Sequence, residues 1–209
     1  MDLVDPRMEA YLRQNQGVDD AVLAEMGRVG VERQFPIIGP LVGRLCEQLA
    51  RSIGAKSVFE MGSGFGYSTM WFARAVGPKG RVVHTELDPA KQKEASDWLT
   101  KAGLAKPVEF RTGNAIDLLR KDAGPYDVIF IDIDKEGYPD AWMLACERVR
   151  VGGLILTDNV LWHGKVLERG GDEATRGVKA YTKAALADAR FLTTILPLRD
   201  GVAISLRLR

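Results

Sequence analysis

The stretch from Val58 to Ser68 constrains the fold of this 209-residue chain more than any other. An apolar strand ends at Glu60, and an apolar helical run follows from Tyr67 to Val76. The loop between them carries glycine at every second position: Gly62, Gly64 and Gly66. Glycines let a backbone approach a ligand closely, and the free N–H groups at the start of a helix face that ligand. A strand, a glycine loop and a helix in this order predict an α/β protein with a nucleotide-like ligand.

The glycine spacing and the preceding acid indicate which ligand this is. A dinucleotide fingerprint requires glycine where Tyr67 stands. Glu60 disfavours a pyrophosphate and suits a cation, and S-adenosylmethionine carries both an ammonium and a sulfonium group. Glu86 ends the next apolar strand, about where an acid would accept hydrogen bonds from both ribose hydroxyls. Together the two acids favour a nucleoside site over a glycine-rich turn beside a surface acid.

Composition and charge indicate one soluble globular domain over residues 1–209. Because 29 Lys and Arg balance 28 Asp and Glu, the net charge is close to zero, and we expect no strong electrostatic attraction to nucleic acid or a membrane. Cys46 and Cys146 lie far apart in apolar helical runs, which predicts buried thiols in a reducing cytosol. The first residues lack the basic and apolar regions of a signal peptide, and no apolar run reaches membrane-spanning length, so we expect a cytoplasmic protein.

The region from residue 55 to 209 alternates strands and helices, which predicts a Rossmann-like, doubly wound parallel sheet covered on both faces. The short link between the last two strands predicts an antiparallel hairpin. The predicted strands cover residues 58–60, 81–86, 108–111, 126–132, 154–157, 191–196 and 202–208.

The first 54 residues are predicted to be helical. Asp19 and Asp20 can cap a helix that extends to about Gln34, and a second helix ends at Gly54. Between them, Phe35–Pro40 forms a rigid connector. These helices can lie over the cofactor or pack on a second subunit, and the sequence leaves both arrangements open.

Acidic and amide side chains follow two further strands. Asp132 ends the fourth strand, and Asp158 and Asn159 follow the fifth. With a strand order of 3-2-1-4-5, these side chains and the glycine loop converge on one crevice. Two carboxylates and an amide oxygen suit Mg²⁺ or another divalent cation such as Mn²⁺ or Ca²⁺. A helix cap or a loop acid would explain either aspartate alone, but carboxylates at the ends of adjacent buried strands favour a metal site.

Lys135 follows Asp132 by three residues, so its side chain is expected to lie over the same crevice. A loop lysine is ordinarily just solvated. Beside a divalent cation, however, its neutral form is favoured and it can serve as a base.

Four motifs resemble the cation-dependent class I O-methyltransferases that use S-adenosylmethionine, a family that includes catechol and caffeoyl-CoA O-methyltransferases and many bacterial relatives. The motifs are EMGSGFGYS at 60–68, TELD at 85–88, IDIDKEGY at 131–138 and TDNVLWHG at 157–164. The resemblance covers nearly the whole chain, and 196–201 is similar to the family's Leu-Pro-x-x-Asp-Gly link. It implies a seven-stranded methyltransferase sheet with an antiparallel last strand, and a homodimer.

The resemblance also implies site residues. The implied cofactor contacts are Ile38, Glu60, Gly62, Gly64, Gly66, Ser68, Glu86, Asn114, Ala115 and Asp132. Asp132, Asp158 and Asn159 would ligate the metal, and Lys135 would be the general base. Asp134, Tyr138, Trp162 and His163 would line the acceptor pocket. A helix cap is an alternative role for Asn114, and core packing is an alternative for Tyr138 and Trp162.

These features predict transfer of a methyl group from S-adenosylmethionine to a hydroxyl of a catechol-like, phenolic small molecule. A tRNA hydroxyuridine is the alternative acceptor. Near-zero net charge argues against tRNA, whereas a common face for the N-terminal arginines would favour it. Those arginines are Arg7, Arg13, Arg28 and Arg33.

Two more distant alternatives change the class of protein. A non-catalytic S-adenosylmethionine-binding module would not need the metal set or Lys135. An NAD-dependent dehydrogenase is disfavoured by Tyr67 at the third glycine position and by Glu60.

Overall fold

The computed structural model describes residues 5–16, 18 and 20–209. Eight α-helices and seven strands are assigned in this part of the chain. The strands are β1 Ser57–Met61, β2 Arg81–Glu86, β3 Val108–Thr112, β4 Tyr126–Ile131, β5 Val149–Thr157, β6 Phe191–Leu196 and β7 Val202–Arg207. The helices are α1 Pro6–Asn15, α2 Ala21–Glu32, α3 Gly39–Ser52, α4 Tyr67–Val76, α5 Pro89–Lys101, α6 Ala115–Lys121, α7 Tyr138–Arg148 and α8 Glu173–Ala187.

All seven strands form one sheet in the order β3-β2-β1-β4-β5-β7-β6. Strand β1 pairs in parallel with both β2 and β4, so the chain order reverses between β1 and β4. Strand β7 runs antiparallel between β5 and β6. The predicted fold class is confirmed, including the antiparallel last strand, and the first five strands have the order 3-2-1-4-5 that the expected crevice assumes. Ligands of such sheets bind at the carboxyl ends of the strands beside the reversal.

Strand β5 begins at Val149, five residues before the predicted start at Leu154. The early part of β5 includes Gly152 and Gly153, which the sequence interpretation placed before the strand. A register shift between Tyr126 and Val128 accommodates this irregular segment in the ladder. A Cβ at Gly153 would lie 2.7 Å from the Asp127 carbonyl oxygen, so only glycine lets β4 and β5 approach this closely.

Helices α2 and α3 pack against α4, whereas α1 has no buried residue. Asp20 caps α2, because its side chain accepts hydrogen bonds from the Val22 and Leu23 N–H groups; Asp19, the other predicted cap, lies outside the described residues. Leu23 and Met26 of α2 belong to the same apolar cluster as Trp71 of α4. Among the described helices, none has the length and hydrophobicity needed to cross a membrane.

Strand alternation separates the core into two layers. Val58 points to the layer formed with α2, α3 and α4, whereas Phe59 points to the layer formed with α6, α7 and α8. Cys46 and Cys146 lie in these two layers as free, buried thiols, as predicted.

The contact between α3 and α4 requires glycine at position 43. A Cβ there would lie 2.2 Å from Nε1 of Trp71, whose ring is only 1% exposed. We expect Gly43→Ala to lower the free energy of unfolding by about 1–3 kcal/mol, because a fully enclosed ring cannot move aside. Urea denaturation would measure the change.

Gly27→Ala in α2 is the matched control. Its Cβ would meet only Tyr67, at an ordinary contact distance of 3.8 Å. Since alanine is the better helix former, the stability should stay the same or rise by up to about 1 kcal/mol. Similar losses at both positions would contradict the packing argument.

Candidate active site

A cavity of about 940 Å³ lies at the carboxyl ends of β1, β2, β4 and β5. The glycine loop, the connector before α3 and the loops after these strands form its walls. The predicted residues that line it are Ile38, Gly62, Gly64, Ser68, Glu86, Asn114, Ala115, Asp132, Asp134, Lys135, Asp158, Asn159, Trp162 and His163. Glu60, Gly66 and Tyr138 do not line it.

The glycine loop lies directly against the end of β4. The Asp132 N–H donates to the Met61 carbonyl at 2.9 Å, which joins the ends of β1 and β4. Gly62 has φ +82°, and a Cβ on it would lie 2.1 Å from the Asp132 carbonyl oxygen. Glycine at position 62 therefore satisfies both the left-handed backbone and the close approach.

Gly66 supports the loop from the side away from the cavity. It precedes α4 with φ +91°, and a Cβ would lie 2.9 Å from Cβ of Ala95 in α5. Gly66 is not among the residues that line the cavity, and its predicted contact with the cofactor stays a prediction. Glycine is needed here because α5 packs against the start of α4.

Glu60 is completely buried and does not line the cavity, and its predicted contact with the cofactor stays a prediction. Its Oε2 accepts a 2.5 Å hydrogen bond from the Thr69 hydroxyl of α4. Burial raises the pKa of Glu60 to about 7, although the hydroxyls of Ser68, Thr69 and Ser63 act in the opposite direction. Because Ser63 and Ser68 line the cavity, Glu60 can act on its contents through this layer of hydroxyl groups.

Asp158 is a buried carboxylate with an unsatisfied oxygen. It is 3% exposed, and its Oδ1 has no hydrogen-bond partner. Its N–H donates to the Ile131 carbonyl at 3.1 Å, which holds it beside the end of β4. Burial, and then the negative charge of Asp132, raise the pKa of Asp158 to about 7. A buried, unpartnered oxygen of this kind is costly unless a ligand satisfies it.

The donor set fits a divalent cation. Asp132, Asp158 and Asn159 all line the cavity, and they offer carboxylate and amide oxygens. No cluster of three or more His, Cys, Asp or Glu suited to a metal occurs in the described part of the chain. Asp132, Asp158 and Asn159 are not such a cluster, because only two of the three are carboxylates and the third is an amide. The unpartnered Asp158 oxygen is the observation that favours a cation here.

Lys135 is held at the cavity wall. Its Nζ donates to Asp132 Oδ1 at 3.0 Å and to the Ile133 carbonyl at 3.1 Å. Helix α8 packs tightly beneath it, because a Cβ at Gly177 would lie 2.2 Å from the Lys135 carbonyl oxygen. The lysine is only 8% exposed. The fold therefore holds the Lys135 Nζ beside Asp132, one of the two carboxylates.

Two aromatic rings flank Lys135 and differ in their exposure. Its Nζ lies 4.8 Å from the ring centre of Tyr138 and 5.6 Å from that of Trp162. Tyr138 is fully buried and donates its hydroxyl to the Asp158 carbonyl at 2.8 Å. Tyr138 therefore packs in the core, and its predicted contact with the acceptor stays a prediction. Trp162 lines the cavity.

Glu86 and Asn114 line the cavity where β2 and β3 end. The Glu86 carboxylate accepts from the Asp88 N–H at 3.0 Å, which fixes its direction. The Asn114 side chain accepts from the N–H groups of Ile116 and Asp117, so it is a helix cap. It also lines the cavity, and its contact with the cofactor stays a prediction.

Backbone strain is concentrated around the cavity. Five described non-glycine residues have positive φ, and four of them line it: Asn159, Trp162, His163 and Arg199. Such strain is typical of functional sites. Arg199 was missed by the sequence analysis, although it lies within the 196–201 link. Its guanidinium donates to the Ile37 carbonyl at 2.6 Å and so ties the connector to the opposite wall.

Known proteins share this architecture. Residues 14–208 match the family model described as O-methyltransferase. A catechol O-methyltransferase from Niastella koreensis is 37% identical over 200 residues, which is 90% of each chain. Caffeoyl-CoA O-methyltransferase 5 from Nicotiana tabacum is 32% identical over 79% of this chain and 75% of its own.

Solved structures agree with these sequence matches. The O-methyltransferase of Bacillus cereus in complex with SAH superposes with a TM-score of 0.87, at 29% identity and over 96% of this chain and 97% of its own. TomG from Streptomyces achromogenes in complex with SAM gives 0.88, at 26% identity and over 97% and 96%. The chain therefore belongs to the O-methyltransferase family and is an S-adenosylmethionine-dependent O-methyltransferase.

Proposed function

We propose that this enzyme methylates a hydroxyl of a catechol-like small molecule in a reaction that depends on a divalent cation. The buried, unpartnered Oδ1 of Asp158 carries the proposal. It lies at the same sheet edge as Asp132 and the glycine loop. The relatives named catechol and caffeoyl-CoA O-methyltransferase support this acceptor class.

Asp132, Asp158 and Asn159 would hold the cation, with Mg²⁺ preferred and Mn²⁺ or Ca²⁺ as alternatives. A cation bound there would lower the pKa of a hydroxyl that it coordinates. The bound cation would also give the unpartnered Oδ1 of Asp158 a partner. Asp132 would be shared between the cation and Lys135, whose Nζ lies 3.0 Å from it.

Lys135 would be the general base. In its neutral form, Nζ would accept the proton of the acceptor hydroxyl. S-adenosylmethionine would supply the methyl group: the new carbon–oxygen bond would form as the carbon–sulfur bond breaks, and the cofactor would leave as a neutral thioether. Because opposite charges neutralise in this step, positioning and exclusion of bulk water should supply most of the rate acceleration. Trp162 and Asp134 would contact the acceptor.

The cofactor would lie along the glycine loop. Ile38, Gly62, Gly64 and Ser68 would surround its amino-acid end. Glu86 would accept hydrogen bonds from the ribose hydroxyls. Asn114 and Ala115 would border the adenine.

The N-terminal arginines favour a small acceptor over tRNA. Arg7 pairs with Asp5, Arg13 with Glu9 and Arg33 with Glu94. These ion pairs reduce the positive charge available to phosphates. The family assignment excludes a dehydrogenase and a non-catalytic module. Homodimer formation and a cytoplasmic location stay predictions.

Methyl transfer from labelled S-adenosylmethionine to a panel of catechols and caffeoyl esters tests the proposal. We expect a labelled product with Mg²⁺ and loss of labelling with excess EDTA, because Asp158 and Asp132 lose the cation. Adding back excess Mg²⁺ should restore the product. Equal labelling with EDTA would contradict the cation dependence, and labelling of undermodified tRNA alone would contradict the acceptor class.

Substitution of Lys135 tests the base. Lys135→Met should lower kcat by about 10²- to 10⁴-fold, since the proton acceptor is lost. The Kd of S-adenosylmethionine, measured by calorimetry, should change little. Lys165→Met is the matched control. The Lys165 Nζ also lies near the Trp162 ring, at 5.7 Å, but its side chain is 43% exposed and pairs with Asp172. Comparable kcat losses in both variants would rule out a special role for Lys135.

A further inference from the structure

A buried polar cluster lies beneath the glycine loop and consists of Glu60, Thr69 and His84. The register of β1 and β2 pairs Glu60 directly with His84. Strand alternation points both side chains toward α4, where Thr69 lies over them. All three residues are 0% exposed and none lines the cavity.

The hydrogen bonds of the cluster form a chain. The Thr69 hydroxyl donates to Glu60 Oε2 at 2.5 Å, and His84 Nδ1 lies 3.0 Å from the same hydroxyl oxygen. Burial lowers the pKa of His84 to about 3, so its ring is neutral. The Thr69 hydroxyl has a single proton, which lies in the bond to Glu60, so this hydroxyl can only accept from His84. Nδ1 of His84 must then carry the ring proton and donate it to Thr69.

Packing alone does not explain a histidine at position 84. Its Nε2 is buried and has no hydrogen-bond partner. The ring lies 5.2 Å from that of Phe110, in surroundings that an apolar side chain would suit better. A polar atom left unsatisfied in this way is costly. Of the two ring nitrogens of His84, only Nδ1 therefore makes a stabilising contact, and that contact is with Thr69.

The chain of hydrogen bonds ends at Glu60, directly behind two serines of the cavity wall. Glu60 Oε1 has no partner of its own, and the Ser63 and Ser68 hydroxyls are close enough to lower the pKa of Glu60. Both serines line the cavity. Ser63 is held in turn by the Thr85 N–H, which donates to its hydroxyl at 3.1 Å.

We infer that Thr69 and His84 are positioning residues for S-adenosylmethionine. They hold the Glu60 carboxylate in one orientation behind Ser63 and Ser68, where its negative charge favours the positively charged cofactor. Thr69 fixes Glu60, and His84 fixes the direction of the Thr69 hydroxyl. The inference rests on cofactor binding and is independent of the acceptor and the cation.

Cofactor binding by Thr69 variants tests the first contact. Thr69→Val keeps the shape and removes the hydroxyl, so we expect the Kd of S-adenosylmethionine to rise about five- to tenfold. The KM for the cofactor should rise in parallel, while kcat at saturating cofactor stays within about twofold. Thr69→Ser keeps the hydroxyl and should restore wild-type affinity. Binding is measured by calorimetry without acceptor or cation, so its outcome does not depend on the proposed function.

His84 variants test the second contact. His84→Leu should raise the same Kd about three- to fivefold, while the melting temperature is unchanged or higher because the unpartnered Nε2 is gone. His84→Asn can place an amide N–H where Nδ1 lies, and it should retain the affinity. In the Thr69→Val background, His84→Leu should add no further loss, because His84 acts through the Thr69 hydroxyl.

Thr193→Val is the control for losing a threonine hydroxyl away from the loop. Thr193 donates to Ser205 and does not line the cavity, so its loss should change the melting temperature without changing the Kd. An unchanged Kd in Thr69→Val, or additive losses in the double variant, would overturn the inference. If Thr69→Val fails to fold, the His84 pair decides, because His84→Leu is expected to be as stable as the wild type.

Discussion

The contact between the ends of β1 and β4 is the constraint on which the rest of the site depends. A backbone hydrogen bond joins Asp132 to Met61, and the carbonyl of Asp132 occupies the space where any side chain at position 62 would begin. The loop that borders the cofactor cavity and the strand end that presents Asp132 are therefore one structural unit. A displacement of the loop would also move Asp132, which is the ion-pair partner of Lys135.

Buried charge is arranged in two layers around this unit. Asp158 lies at the cavity surface with an unpartnered oxygen, and burial together with Asp132 raises its pKa. Glu60 lies deeper, and burial raises its pKa while the surrounding hydroxyl groups oppose the change. Burying either carboxylate is costly unless a positive charge balances it. This cost is offset when positive ligands occupy the cavity, which is the electrostatic reason that such a site binds a cationic cofactor and suits a divalent cation.

The strained residues contribute to the same arrangement from the opposite wall. Asn159, Trp162, His163 and Arg199 hold left-handed backbone conformations around the cavity. The bond from Arg199 to the Ile37 carbonyl connects this wall to the segment that precedes α3. The cavity is thus bordered by loops that are fixed to one another by specific polar contacts, while the parallel strands beneath them supply the rigid base.

The sequence by itself determined the fold class and the residues at each strand end, because glycine spacing, apolar runs and capping residues act locally. The order of the strands depends on pairing between distant segments, so the tertiary structure decided it. The sequence also identified Asp132, Lys135, Asp158 and Asn159 as one group, since parallel strands end at the same edge. Only the tertiary structure decided which side chains reach the cavity. Glu60 and Tyr138 belong to motifs that surround the site, yet packing of α4 over β1, and of Tyr181 of α8 against Tyr138, buries both. Arg199 and the Thr69–His84 pair depend on contacts between distant segments, which no local pattern encodes.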